Sequence, residues 1–308
     1  MKLAVVTDSS AYLPERIKNH PDLFVIPIPL IMDGKIYNEG IDIEADEYYG
    51  LLKNSKDFPT TSQPVVGEVL GLYEELKEKG YDTILSIHLS SGISGFVNTL
   101  FAMKDDISGV TVIPYDSKIT SMPMGHMVEA ALDLNDEGQS LDEILAHVDR
   151  IRDNTYAYLI VDDLNNLVRG GRLTNGAALI GSLLKIKPIL TFSEGKIVLF
   201  EKIRSSKKAF ARAEEIIGRR NNEIQPPVKL YVIHANNLEV AIAEKEKLQK
   251  KYPNAEIEIG HFGPVIGTHL CEKSIGIAIS SQYFLLFKKH TKNIPTSSWT
   301  FYMLLMSV

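Results

Sequence analysis

The stretch that most constrains this chain is Ile84-Leu85-Ser86-Ile87-His88-Leu89-Ser90-Ser91-Gly92-Ile93-Ser94-Gly95-Phe96. It begins as an apolar run and passes through a Ser/Gly turn. Phe96, Leu100 and Met103 then follow at three- and four-residue spacing. That order predicts a strand, a tight turn and a helix start. Such a turn gathers backbone N–H groups and hydroxyls at the positive end of a helix, where an anion is favoured. The turn alone does not say which anion.

The rest of the chain repeats the pattern. Residues 3–6 are apolar and run into Thr7-Asp8-Ser9-Ser10, and residues 110–115 form a strand ending at Asp116. Helical patterns cover 45–53, 65–79, 122–134 and 141–152, with Gly138 as a stop signal between the last two. Residues 24–32, interrupted by Pro27 and Pro29, read as an edge strand or extended loop. This alternation predicts a parallel α/β sheet, with ligands at the carboxyl ends of its strands. Asp8, Thr61 (at an expected helix start), Ser94 and Asp116 fall at such loops.

From Tyr156 the pattern changes. A strand over 156–161 and a loop over 165–172 precede an apolar helix over 177–184, expected to be buried. Runs at 188–192 and 196–201 flank Ser193-Glu194-Gly195, a hairpin signal. A charged helix (205–220) and a strand–helix–strand series (228–235, 238–251, 255–260) complete this half. The expected fold is α/β in two domains. Residues 1–154 form an N-terminal domain with a parallel sheet, and residues 155–282 a smaller C-terminal α/β domain with a hairpin. Residues 283–308 form an atypical tail without a clear period.

Composition removes several functions. Among 308 residues the net charge is −6, which argues against nonspecific nucleic-acid binding. Cys271 is the only cysteine, so the chain has no intrachain disulfide and no cysteine-based metal cluster. The N-terminus reads as a first strand rather than a signal peptide, and no apolar run is long enough to cross a membrane. A cytoplasmic location is expected. Phosphate-loop and dinucleotide glycine motifs are missing, and no His/Asp/Glu spacing suggests a metal site.

Several residues remain that carry chemistry. Thr60-Thr61-Ser62-Gln63-Pro64 and the Ser90–Gly95 turn read first as helix caps. A nucleophilic Ser94 would need Gly-x-Ser-x-Gly, and here Gly95 comes one residue too soon. A base such as His269 and an acid such as Asp8, recruited from afar, keep a serine hydrolase open. Gly263-Pro264-Val265-Ile266-Gly267-Thr268-His269 reads as a rigid loop. Between Arg169 and Arg212 ten Lys and Arg residues face only Glu194 and Glu201, a local charge of +8. That is a solvated face or a docking surface for an acidic or phosphorylated partner.

Taken in order, Val5-Val6-Thr7-Asp8-Ser9, Thr61-Ser62-Gln63-Pro64, Ser90-Ser91-Gly92-Ile93-Ser94-Gly95, Gly170-Gly171-Arg172, Lys187-Pro188 and Gly263 to His269 resemble the DegV family of bacterial fatty-acid-binding proteins. The resemblance covers about residues 1–280. It implies a two-domain α/β protein with one long-chain fatty acid in an interdomain tunnel. It places the acyl carboxyl at Thr61, Ser94 and His269. It also implies that the acid is presented to a partner fatty-acid kinase, related to dihydroxyacetone kinase, which makes an acyl phosphate for phospholipid synthesis. Arg172 and Arg204 are implicated in that docking. The chain itself would be non-catalytic, with no cofactor or metal. A Ser94/His269 hydrolase and a carrier of another small carboxylate are the alternatives. Phe96, where the family usually has Thr, is a departure that bears on the pocket near the carboxyl. Cys271, in a glycine place, strains its turn if the position needs positive φ.

Overall fold

The computed structural model describes residues 1–180 and 186–283. The first half runs β1 (Leu3–Asp8), α1 (Glu15–Lys18), β2 (Leu23–Ile26), β3 (Pro29–Met32), β4 (Lys35–Asn38), α2 (Ala45–Leu52), β5 (Thr60–Thr61), α3 (Val66–Glu78), β6 (Thr83–His88), α4 (Phe96–Met103), β7 (Thr111–Asp116), α5 (Ser121–Asp136) and α6 (Leu141–Asp153). The second half runs β8 (Tyr156–Ile160), α7 (Asn165–Arg169), α8 (Gly176–Ile180), β9 (Lys187–Ser193), β10 (Lys196–Ile203), α9 (Ser206–Glu223), β11 (Val228–His234), α10 (Leu238–Lys251), β12 (Glu256–His261), α11 (Pro264–Leu270) and β13 (Ile275–Ser281).

Three sheets result. The first is all parallel, in the order β2-β1-β6-β7. Every residue of β1 and β6 is buried, so these strands carry continuous apolar runs rather than alternation. A second, mixed sheet has the order β10-β9-β8-β13-β11-β12, with only the β11–β12 pair parallel. The third is small and antiparallel, β4-β3-β5. The fold is therefore mixed α/β, parallel in its N-terminal region and mixed in its C-terminal region.

Strand period decides where the core sits. Ala4, Val6 and Ile84 point one way, into a cluster with α3 and α4. Leu3, Val5, Leu85 and Ile87 point the other way. In the mixed sheet Tyr158, Leu230, Val232 and Ile277 meet α9 and α10. Their neighbours Ala157, Leu159, Tyr231, Ile233 and Ala278 join the same cluster as the inner face of the parallel sheet. One core is thus shared by the two inner faces. α5, buried on nearly every side, lies within it.

Four readings from sequence are corrected. Residues 24–32 form two strands, since Pro27 interrupts the run, and β4 follows through an Asp33-Gly34 hairpin with positive φ at both residues. Residues 60–61 are a strand rather than a helix start; α3 begins only at Val66. Residues 165–169 are a helix rather than a loop. Residues 264–270 are likewise helical, with Pro264 in the first turn, where its missing N–H costs nothing. The apolar helix expected over 177–184 is described as far as Ile180; its remainder, like residues 284–308, lies outside the described residues. β13 is buried throughout and lies between β8 and β11 in the mixed sheet.

An ionic cluster around the buried Lys229 and Glu129 ties α5 to the mixed sheet. Lys229 Nζ on β11 lies 2.9 Å from Glu258, 3.3 Å from Glu256 and 3.7 Å from Glu129 of α5. Burial alone would raise the Glu129 carboxyl. The His126 hydrogen bond and the charges of Lys229, His126 and Arg16 outweigh it and hold the group at about 2. Removing Lys229 leaves the buried Glu129 carboxylate with only Arg16 and His126 beside it. Lys229→Ala is therefore expected to cost about 3 kcal/mol, read as a lower urea midpoint at unchanged slope. An unchanged midpoint would show that the cluster contributes no net stability.

Candidate functional site

The Ser/Gly turn is held from behind by a sealed polar series. Asp8 Oδ2 accepts the Leu89 N–H at 3.0 Å and meets His88 Nδ1 at 3.0 Å. His88 Nε2 meets Ser86 Oγ at 2.6 Å, and Ser86 Oγ meets Tyr73 at 2.6 Å. Asp8, Ser86 and His88 have no exposed surface, so this Asp–His–Ser series shapes the turn and meets no solvent. On the other flank Asp116 accepts the Ser91 N–H at 3.1 Å and its hydroxyl at 2.5 Å. Asp8 and Asp116 thus stand behind the turn, outside the cavity lining.

In front, the turn touches the β9–β10 hairpin. Ser90 Oγ donates to the Gly195 carbonyl at 2.7 Å. A Cβ added at Gly92 would lie 2.3 Å from that carbonyl, and one at Gly195 would lie 2.3 Å from Ser90 Oγ. Gly195 also has φ +75°. Two glycines therefore permit the contact that brings the hairpin against the turn.

Behind this contact lies a cavity containing, mouth included, about 910 Å³ of space outside atoms. Leu89 and Ile119 line it from the parallel sheet's side, and Ala157, Leu159, Ile233 and Ala278 from the mixed sheet. Thr61, Ser94, Arg172 and His269 line it as well. Thr61 Oγ1 meets His269 Nε2 at 2.9 Å. Ser94 Oγ accepts the Phe96 N–H at 3.2 Å, which leaves its own proton to donate. Arg172 Nε donates to the Ile93 carbonyl at 3.2 Å, and its Nη1 to the Gly170 carbonyl. The sequence-predicted Thr61, Ser94 and His269 therefore share one cavity with Arg172. Arg204 is exposed at the β10–α9 junction and does not line it.

The helix bearing His269 is fixed on two sides. Asn166 Nδ2 of α7 donates to the Thr268 carbonyl at 3.1 Å, and Tyr48 of α2 meets Thr268 Oγ1 at 2.9 Å. His269 Nδ1 has no hydrogen-bond partner and packs on Gly170, where a Cβ would stand 2.4 Å away. The Gly-Gly-Arg run thus has two uses: Gly170 admits the imidazole, and Arg172 enters the cavity. The residue pattern pointed to neither use.

Electrostatics set the imidazole apart from the guanidinium. Burial, then the positive charge of Arg172, lowers His269 to about 4. The imidazole is neutral at pH 7, and Arg172 carries the positive charge. Arg172 is half-buried and has no carboxylate partner among the described residues.

Phe96 is buried with α3 residues and stacks edge-on against His88, 4.7 Å between ring centroids, away from the cavity. It shapes the turn from behind. The basic region is partly compensated: Arg212 pairs with Glu201 and Glu215, and Lys187 with Asp162. Cys271, directly after α11, has φ +62° and ψ 164°, a conformation that favours glycine.

Two outcomes follow. Between pH 6.5 and about 4 the unfolded chain binds a proton at His269 that the folded chain does not. Its contribution to stability therefore falls as pH falls through that window. In a ligand-free NMR titration the His269 ring is expected to stay neutral down to pH 5, and Arg172→Met to raise its midpoint. Titration near 6.5 in the unmodified chain would contradict this. Cys271→Gly is expected to stabilise by about 1 kcal/mol, strain relief exceeding the added freedom of the unfolded chain; a lower thermal midpoint would refute it.

Fold and cavity together define a class: a mixed α/β binding protein with an apolar chamber and a hydroxyl–imidazole–guanidinium group at one end. The DegV family model, described as "Uncharacterised protein, DegV family", matches residues 2–282. The DegV domain-containing protein lmo2514 of Listeria monocytogenes is 45% identical over 279 residues, covering 91% of this chain and 98% of its own. The fatty acid binding DegV family protein SAG1342 of Streptococcus agalactiae superposes with a TM-score of 0.87 at 40% identity, covering 92% of this chain and 100% of its own. DegV of Bacillus subtilis, described as a fatty acid binding protein, superposes at 0.83 with 41% identity, covering 92% and 100%. The chain belongs to the DegV family.

Proposed function

We propose that this protein binds one long-chain fatty acid in the cavity and presents its carboxyl to a partner fatty-acid kinase for acyl-phosphate formation, feeding phospholipid synthesis. The observation that carries the binding is Arg172: a half-buried guanidinium without a carboxylate partner among the described residues, beside free hydroxyl donors at the end of an apolar chamber. A carboxylate leaving water needs charge-assisted hydrogen bonds, and the acyl chain needs a dry lining. Burying a C16-type tail at about 0.8 kcal/mol per CH2 gives roughly 10 kcal/mol of gross drive. The fatty-acid-binding relatives in Streptococcus agalactiae and Bacillus subtilis support the same ligand class.

In this reading a neutral His269 donates its Nε2–H to Thr61 Oγ1. The Thr61 hydroxyl then donates to the carboxylate beside Ser94, and Arg172 supplies the charge. The chain supplies no catalysis; phosphoryl transfer belongs to the kinase. Exposed Arg204, with Lys207 and Lys208 next to it on α9, offers docking charge. The hydrolase alternative is less well served. His269 Nε2 is engaged by Thr61, and Asp8 by His88.

Solvent extraction of the purified protein and mass spectrometry are expected to yield one long acyl chain per molecule. A stoichiometric short or branched acid would favour the other carboxylate reading, and no acid at all would overturn the proposal. Thr61→Val and Ser94→Ala are each expected to weaken hexadecanoate binding about three- to tenfold, and Arg172→Met about ten- to a hundredfold. Arg204→Glu should slow kinase-dependent acyl-phosphate formation while leaving the fatty-acid Kd unchanged.

A further inference from the structure

Glu39, directly after β4, is 5% exposed yet has no cation partner among the described residues. Its Oε2 accepts the Ser9 hydroxyl at 2.7 Å, and its Oε1 accepts the Val265 N–H in the first turn of α11 at 3.0 Å. Ser9 Oγ in turn accepts the Ile28 N–H at 3.0 Å, just before β3. Gly263 lies so close that a Cβ there would stand 2.4 Å from Glu39 Oε1.

These bonds close a ring. From Glu39 the path enters α11 at Val265 and leaves at His269, which meets Thr61. Thr61 on β5 pairs with Leu30 of β3. β3 leads back through Ile28 and Ser9 to Glu39. The two partners of the Thr61–His269 bond thus sit on separate elements, and the Glu39 carboxyl links the start of α11, through Ser9, to the segment that enters β3 beside β5. Glu39 is a residue that sequence reading passes over, because its partners lie up to 226 positions away.

We propose that Glu39 is a positioning residue for the carboxyl-binding pair, setting the approach of His269 to Thr61 from outside the cavity. This rests on the fatty-acid reading of that pair. Burial raises the Glu39 carboxyl to about 8, against the opposing bonds from Ser9 and Val265. At pH 7 the group is therefore neutral, and glutamine reproduces its shape and its acceptor for the Val265 N–H, with its amide N–H donating to Ser9 Oγ in place of accepting from it. Alanine removes both bonds and leaves the Val265 N–H buried without a partner.

The test uses the full chain, delipidated, at pH 7. His269 ring ¹⁵N shifts report the Thr61–His269 bond without ligand, and hexadecanoate binding reports the site. Glu39→Ala is expected to move the His269 shifts and raise the hexadecanoate Kd about tenfold. Glu39→Gln is expected to restore both to within about threefold of the unmodified chain. If Glu39→Ala does not fold, Ser9→Ala cuts the same ring at its other side and should move the same shifts. Wild-type shifts and Kd in Glu39→Ala or Ser9→Ala would overturn the assignment, as would Glu39→Gln behaving like Glu39→Ala. Failure of the unmodified chain to bind hexadecanoate would instead remove the fatty-acid reading; the ring shifts would still decide whether Glu39 positions His269.

Discussion

The site depends on one bond between distant residues: Thr61 and His269, 208 positions apart, meet at 2.9 Å. Neither lies on the turn that dominates the sequence. Thr61 sits on a two-residue strand whose place is set by β3, and His269 near the end of a seven-residue helix held by α2 and α7. Such short elements cannot hold themselves. Their positions come from the tertiary contacts around them, and the geometry of the pair reports the whole assembly.

The cavity has the same origin. A sheet whose strands are apolar on both faces must bury both. The parallel sheet covers one face with α3 and α4 and shares the other with the mixed sheet. Space between two such inner faces is apolar unless a loop brings polar atoms to it. Here three segments do so, at Thr61, Ser94 and Arg172, while α11 brings His269. Ser90, Gly92 and Gly195 then fix the distance between the turn and the hairpin.

Much of the frame was legible in the sequence. Residues 84–96 gave a strand, turn and helix because period, Ser/Gly content and helical spacing agreed. The 193–195 hairpin was legible for the same reason. Thr61 was misplaced because a two-residue strand has no period to detect. α11 was read as a loop because Gly263, Pro264 and Gly267 are breakers elsewhere, whereas a first-turn proline is compatible with a helix. The central place of β13 was not legible, since only neighbours from 156–160 and 228–234 make it central. The grouping of Thr61, Ser94 and His269 came from family resemblance; spacing alone could not join positions so far apart. The direction of Arg172 was hidden because a Gly-Gly-Arg run reads equally well as a surface turn.

Charge and direction are divided within the site, and the division has a physical reason. Burial first, and then the like charge of Arg172, keep His269 neutral. In the proposed function, direction then falls to neutral donors, and a single guanidinium would balance a single carboxylate. Because Arg172 is already half-buried in the folded chain, part of its desolvation cost is borne before any anion arrives. In the proposed function an incoming carboxylate would meet donors already oriented by Ile93, Gly170 and His269, and its own dehydration would be the main opposing term. On the same proposal an uncharged lipid head would leave that guanidinium uncompensated, so the arrangement would select for an anion before it selects for a chain.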